Sequence, residues 1–480
     1  MTHELPGTLV ELRRQIVAKR WSVRDALAYQ WQRLEGGKEH WNSIVTVFDA
    51  PATLPDANAP LAGIGVAHKD IFVVGGRLPQ CGAHPQTPIR LAKVPSPPVK
   101  RLGSLGATTL AMTAMAEFAS GITAENPNIE PLRNPLYPNA MVGGSSSGSG
   151  VAVAAGLAYG SLGTDTAGSV RVPAATCGIL GLKPTHALLS TSGCHPLAPS
   201  LDSVGVLARS ARDALQLLAG SLPYGKRRQI LGDVKLVSSE LPLSGWYRDL
   251  DHDLQLPASL RAACCFQHPN GQYSADTRQQ VLIDDYLAGL DRHLSQRRDV
   301  SIRELPDLMQ QASIVMHAEA AATHYEALRN AEPLSALTRA TALPGAALPA
   351  AWYAMAFHHR TAARQLFIQR YLKDNDLLIT PALPQGVPDA SQVDTNSPAF
   401  QPKLLLGLFA WMSFVNYLGL PAIVFPVGHD RSGRPVSIQA IARPNNERLL
   451  LALAHHAETT RFGNKGFIAF PPALQTNPSY

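Results

Sequence analysis

Apolar positions recur at helical spacing near the start of the chain: Leu9, Leu12 and Ile16, then Val23, Leu27 and Trp31. The spacing predicts helix over much of residues 8–35, with Ser22 as an N-cap before the second run. Asp49 to Pro60 is rich in Pro and Ala and reads as a connection. Leu61–His68 reads as a short buried strand ending at Lys69-Asp70, followed by a further apolar run, Ile71–Val74. Residues 79–98 hold six prolines, which predicts loop. From Val99 the pattern turns α/β: a helix about 99–105, a strand at Thr108–Thr113, a Pro- and Asn-rich loop over 126–139, and a small-residue helix at Val151–Gly156. Residues 225–310 are more polar and carry no motif. Helical patterns return at 306–330 and 351–373.

Leu404 to Gly428 contains no charged residue, and a run of that length meets the hydropathy criterion for a membrane span. Asn416, Gly419, Pro421 and Pro426 interrupt it, however. It divides at Gly419-Leu420-Pro421 into a buried helix, about 404–418, and a buried strand, Ala422–Val427. A turn at 429–434 leads to a second strand, Pro435–Ala442, and a helix at 445–458 follows. No membrane association is expected. The length of 480 residues suggests about three domains. With no repeat and no long linker, though, the pattern predicts an α/β fold: one large mixed β-sheet flanked by helices on both faces.

Composition narrows the function. Apolar residues make up 45% and charged residues 16%, against about 25% charged in an average soluble protein. That excludes a disordered chain and predicts a large core. The net charge of +6 is spread thinly, and the longest basic run, Lys226-Arg227-Arg228, has no interleaved aromatics. No nucleic-acid surface is expected. Five cysteines without CxxC spacing exclude a disulfide framework or zinc knuckle and fit a reducing cytoplasm. The opening MTHELPGTLVELRR has no apolar segment of secretory type, which also fits a cytoplasmic location. The 16 histidines show no metal-ligand spacing, so neither metal nor cofactor is expected.

Two Gly/Ser clusters lie close together: Gly143-Gly144-Ser145-Ser146-Ser147-Gly148-Ser149-Gly150 and Gly163-Thr164-Asp165-Thr166-Ala167-Gly168-Ser169. Glycine is costly to order, so such clusters need a reason. Two turns around a tightly packed helix would suffice. A phosphate cradle lacks support, because neither GxGxxG nor a complete GxxxxGK[ST] is present; Gly220–Lys226 is followed by Arg227. Residues 144–148 spell GxSxG, but the prolines at 135 and 138 forbid the strand that a nucleophile elbow requires. A third arrangement explains more. Ser169 as nucleophile would place the backbone amides of Thr166, Ala167, Gly168 and Ser169 around one developing oxyanion. Ser145 could relay a proton, and Lys69, at a strand end among apolar residues, could act as base. Lowering a lysine pKa from ~10.4 to near 7 costs roughly 4.6 kcal/mol, which burial can supply.

These segments, continued by Val170-Arg171-Val172-Pro173 through Lys183-Pro184-Thr185 and by Ser200–Gly205, resemble the amidase signature family in order and spacing over residues 65–210. The resemblance implies a Ser–cis-Ser–Lys triad of Ser169, Ser145 and Lys69, with a cis peptide before Ser145. It implies one amidase domain over 1–480, with its signature core at about 61–210 and a variable, substrate-shaping region at about 225–400. It also implies that Asp165 and Arg171 hold the nucleophile loop; Ser146, from its position, is expected to hydrogen-bond within the cluster. Ala167 stands where the family has glycine, and serves as a donor only if its φ is negative. The TDTAGS spelling is similar to allophanate- and biuret-type amide hydrolases and suggests a small urea-derived amide. The expected activity is therefore hydrolysis of a small carboxylic amide, on substrate-contacting segments 120–135 and 300–425, by a cytoplasmic protein that forms a homodimer. The amidase-like component of a tRNA-dependent amidotransferase is the alternative, since the same triad would serve it. A non-catalytic relative is disfavoured by the intact Lys69, Ser145 and Ser169.

Overall fold

The computed structural model describes residues 4–231, 254–463 and 466–468. Its strands, in chain order, are β1 (Ile44–Val47), β2 (Gly65–Lys69), β3 (Thr108–Thr113), β4 (Gly160–Asp165), β5 (Leu180–Lys183), β6 (Ser203–Ala208), β7 (Leu260–Cys264), β8 (Leu294–Asp299), β9 (Leu377–Pro381), β10 (Ala422–His429) and β11 (Pro435–Ile441). Eight of them form a mixed sheet in the order β4-β6-β5-β10-β11-β9-β7-β8. The pairs from β4 to β9 are antiparallel, whereas β9, β7 and β8 run parallel. The large mixed sheet is as expected. A separate three-stranded sheet, β1-β3-β2, is an addition to the expected architecture.

Side chains alternate across the large sheet, and both faces are covered. Ile423, Phe425 and Val427 join a core containing Leu215, Leu287, Leu450 and Leu453 from helices on one side. Ala422, Leu378 and Ala263 face the opposite way, toward Trp411, Phe414 and Phe367. Among the described residues, no helix is long and apolar enough to cross a membrane.

The two sheets meet where β2 runs beside β4. Leu162 N donates to His68 Nδ1 at 3.2 Å, and Tyr159 N to the Gly65 carbonyl at 3.0 Å. This contact sets the end of β2, and so Lys69, against the end of β4. Gly148, in the Ser147–Ala154 helix, has no room for a side chain: a Cβ there would sit 2.4 Å from the Ser43 carbonyl oxygen.

Several expected elements differ. The buried strand is Gly65–Lys69, because Leu61–Gly63 form a turn with Gly63 at φ +81°. Ile71–Val74 makes only isolated bridges. The small-residue helix begins four residues earlier than expected, at Ser147. The helix expected over 404–418 is two short ones, Pro402–Gly407 and Ser413–Leu418. Between them, Arg171 Nη1 and Gln439 Nε2 take the Met412 and Trp411 carbonyls, and side-chain donors there replace the i+4 amides of a continuous helix. The division at Gly419, left-handed at φ +67°, is as expected. The pattern at 306–330 breaks at His324, whose ring is buried against Phe118 and His195. The motif-poor stretch 225–310 supplies β7, β8 and the Thr277–Leu290 helix, with 232–253 outside the described residues.

Candidate active site

Lys69 ends β2, Ser145 precedes the Ser147–Ala154 helix, and Ser169 lies on the turn between β4 and the Arg171–Thr176 helix. The fold brings Lys69 and Ser145 into side-chain contact and holds the Ser169 loop beside them through the backbone; among the described residues no hydrogen bond joins the Ser145 and Ser169 hydroxyls. Lys69 Nζ lies 2.8 Å from Ser145 Oγ and 2.8 Å from Thr164 Oγ1. The Ser146 amide donates to the Ser169 carbonyl at 3.1 Å, tying the two loops together. Lys69 and Ser145 are completely buried, while Ser169 opens on a cavity. The Gly144–Ser145 peptide is cis, as the resemblance implies. Ser146 bonds across to the other cluster, its hydroxyl donating to the Thr164 carbonyl at 3.2 Å.

Burial pushes the Lys69 pKa down to about 7, against the opposing pull of the Asp202 and Asp165 carboxylates. Thr164, to which the sequence pattern assigns no role, explains how the amine is aimed. A neutral amine that donates one N–H to Thr164 Oγ1 can turn its lone pair to the Ser145 hydroxyl and accept a proton there.

The loop carrying Ser169 is knotted around one buried ion pair. Asp165 accepts from the amides of Gly168 (2.9 Å), Val170 (3.0 Å) and Arg171 (3.3 Å). The Arg171 guanidinium meets the same carboxylate through Nε at 3.0 Å and Nη2 at 2.8 Å. Its remaining donors reach Gln439 Oε1 and Asn416 Oδ1, both at 2.6 Å. Burial raises the Asp165 pKa, but Arg171 outweighs it and holds the group well below the usual carboxylate range. Asn416 and Gln439 escape the sequence pattern; the signal is a lone amide in each of two otherwise apolar stretches.

The expected set of oxyanion donors needs one correction. The Gly168 amide is committed to Asp165 and is not available. Among the described residues, no acceptor meets the amides of Thr166, Ala167 or Ser169. Ala167 lies outside the left-handed region, the condition for its amide to serve. Gly168 has φ +119°, and a Cβ there would lie 3.0 Å from the Met412 side chain, so its glycine answers to loop shape. The Thr166 hydroxyl donates to Asp202 Oδ1 at 2.5 Å. Cys177 is buried, which pushes its thiol up to about 12; it packs rather than reacts.

The cavity in front of Ser169 has a volume of about 530 Å³. Its walls come from residues 119–125, from the Leu305–Thr323 and Ala336–Ala347 helices, and from 405–413. Apart from Ala119, all of these lie in the segments expected to contact substrate, 120–135 and 300–425.

A buried amine with a lowered pKa, a hydroxyl hydrogen-bonded to it and a cavity-lining serine beside free backbone amides are groups suited to attack on a carbonyl carbon. The Amidase family model matches residues 32–451, and the chain belongs to that family. It is similar to AtzE of Pseudomonas sp. (strain ADP), a component of 1-carboxybiuret hydrolase, at 32% identity over 412 residues and 82% of each chain. A component of the glutamyl-tRNA(Gln) amidotransferase of Halorhodospira halophila (strain DSM 244 / SL1) is 30% identical over 93% of this chain and 96% of its own. A crystal structure of an amidase superposes with a TM-score of 0.78 at 26% identity, covering 94% of this chain and 99% of the other.

Proposed function

We propose that this protein hydrolyses the C–N bond of a carboxamide through a seryl acyl-enzyme. Ser169 Oγ bonds to the amide carbon while its proton passes to Ser145, and the proton of Ser145 passes to neutral Lys69. The carbonyl oxygen, now negative, rests on the amides of Ala167 and Ser169, with Thr166 beside them. The C–N bond then breaks, Ser145 returning a proton to the departing nitrogen with resupply from Lys69. Water, deprotonated by the same relay, cleaves the ester and regenerates Ser169. The balance is amide plus water to carboxylic acid plus ammonia or amine.

The observation that carries this reading is the buried Lys69 amine, 2.8 Å from Ser145 Oγ and poised near neutrality. Reaction with a fluorophosphonate followed by peptide mapping tests it. The expected result is one adduct, on Ser169, absent from Ser169→Ala. Labelling elsewhere, or unchanged labelling of the variant, defeats it.

Thr164→Val removes an acceptor that favours the charged lysine more than the neutral one. The acid limb of kcat/KM is therefore expected to move to lower pH, by about half to one unit, with a reduced plateau as the amine loses its aim. A pH profile of the variant checks this.

The similarity to the amidotransferase component over nearly the whole chain supports a second reading, in which the same site releases ammonia for a charged tRNA. Copurification with partner proteins and tRNA would favour it, whereas turnover of free amides by the isolated chain favours the hydrolase.

A further inference from the structure

The cavity in front of Ser169 is walled chiefly by apolar side chains, among them Ile122, Leu201, Met309, Met316, Leu337 and Phe409. Along the Leu305–Thr323 helix, Met309, Ala312, Ser313, Met316 and His317 follow i, i+3, i+4, i+7, i+8 spacing, so one whole helical face is given to the cavity. Among the described residues no lysine or arginine lines it, and Lys69 is sealed behind Ser145. The lining side chains that carry a carboxyl or an imidazole are Glu125 and His317.

Glu125 is held in place without a cation. Its carboxylate accepts from Thr123 Oγ1 at 3.0 Å and from Thr395 Oγ1 at 2.9 Å, and no ion pair engages it among the described residues. His317 Nδ1 donates to the Thr341 carbonyl at 2.7 Å. The wall therefore presents one carboxylate side chain and, among the described residues, no lysine or arginine.

We propose that the substrate is an uncharged amide with a sizeable apolar body, and that Glu125 is a specificity residue that rejects amides bearing a carboxylate. This rests on Ser169 being the nucleophile. A carboxylate entering the cavity would shed its water with no guanidinium or ammonium to replace it, and would also face Glu125. An apolar chain gains on entry, by about threefold to fourfold in kcat/KM per buried methylene. A volume of about 530 Å³ falls in the range of sites for drug-sized ligands, far beyond what a urea-sized amide fills. The cavity thus argues against the small polar ureide that the loop spelling suggests.

The test compares two fluorophosphonates of equal chain length, one ending in methyl and one in carboxylate, by the rate at which each labels Ser169 in the full chain. The methyl-ended probe is expected to react at least 100-fold faster. Glu125→Gln is expected to narrow that ratio by about five- to tenfold, and Met316→Arg to narrow it further by supplying the missing cation. Equal rates, or a faster carboxylated probe, overturn the proposal while leaving Ser169 as nucleophile. Labelling by neither probe removes the nucleophile and the proposal with it.

Discussion

Ser169→Ala is expected to lower kcat for amide hydrolysis by about 10⁴- to 10⁶-fold, the range seen when the nucleophile of a serine hydrolase is removed. The substitution removes the atom that bonds to carbon and leaves the backbone amides of Ala167 and Ser169 in place, so substrate binding should change little. Lys69→Ala should cost about 10³-fold or more. Ser145 is completely buried, and its only hydroxyl partner within hydrogen-bond reach among the described residues is Lys69 Nζ. Without that amine the relay has nowhere to send its proton. Steady-state kinetics on a neutral apolar amide, with circular dichroism to verify folding, checks both. Activity within tenfold of the parent in either variant contradicts the mechanism.

Arg171→Met is expected to destabilise the fold by about 3–5 kcal/mol, the usual cost of leaving one partner of a buried pair uncompensated. Both side chains of the pair are completely buried. With Arg171 gone, the Asp165 carboxylate keeps its three backbone donors but loses its cation. The double variant Asp165→Asn/Arg171→Met should recover part of the loss, because no charge is then stranded. The pair also sets an acid limit. A carboxylate held below its unfolded pKa of about 3.9 contributes stability above that pH, and the contribution fades as pH falls toward the folded value. Denaturant midpoints of the three proteins at pH 7 and at about pH 3 check this. A single variant as stable as the parent contradicts the role given to the pair.

How much of this is legible in the sequence differs from residue to residue. Lys69, Ser145 and Ser169 stand out because they fall in small-residue clusters whose order and spacing are family-specific. Asp165 and Arg171 are legible for the same reason. Their partners Asn416 and Gln439 are not, since they come from elements more than 240 positions away, and no local pattern encodes which helix or strand ends beside the loop. The break within 404–418 has the same origin: it depends on donors from Arg171 and Gln439. Strand β8, LSQRRD, is invisible because it is a largely exposed edge with no apolar alternation. The Met309 face reads only as helix. An apolar stripe facing a cavity has the same sequence signature as one facing a core, and only coordinates separate them.

The most direct test of the central claim is the pH dependence of kcat/KM on a neutral amide, where nothing in the substrate titrates. With Lys69 as the base, the rate should rise about tenfold per pH unit below about 7 and reach a plateau above it, as Lys69 loses its proton. Lys69→Ala should abolish that limb along with most of the rate. A flat profile from pH 5 to 9, or a limb that survives the loss of Lys69, would contradict it.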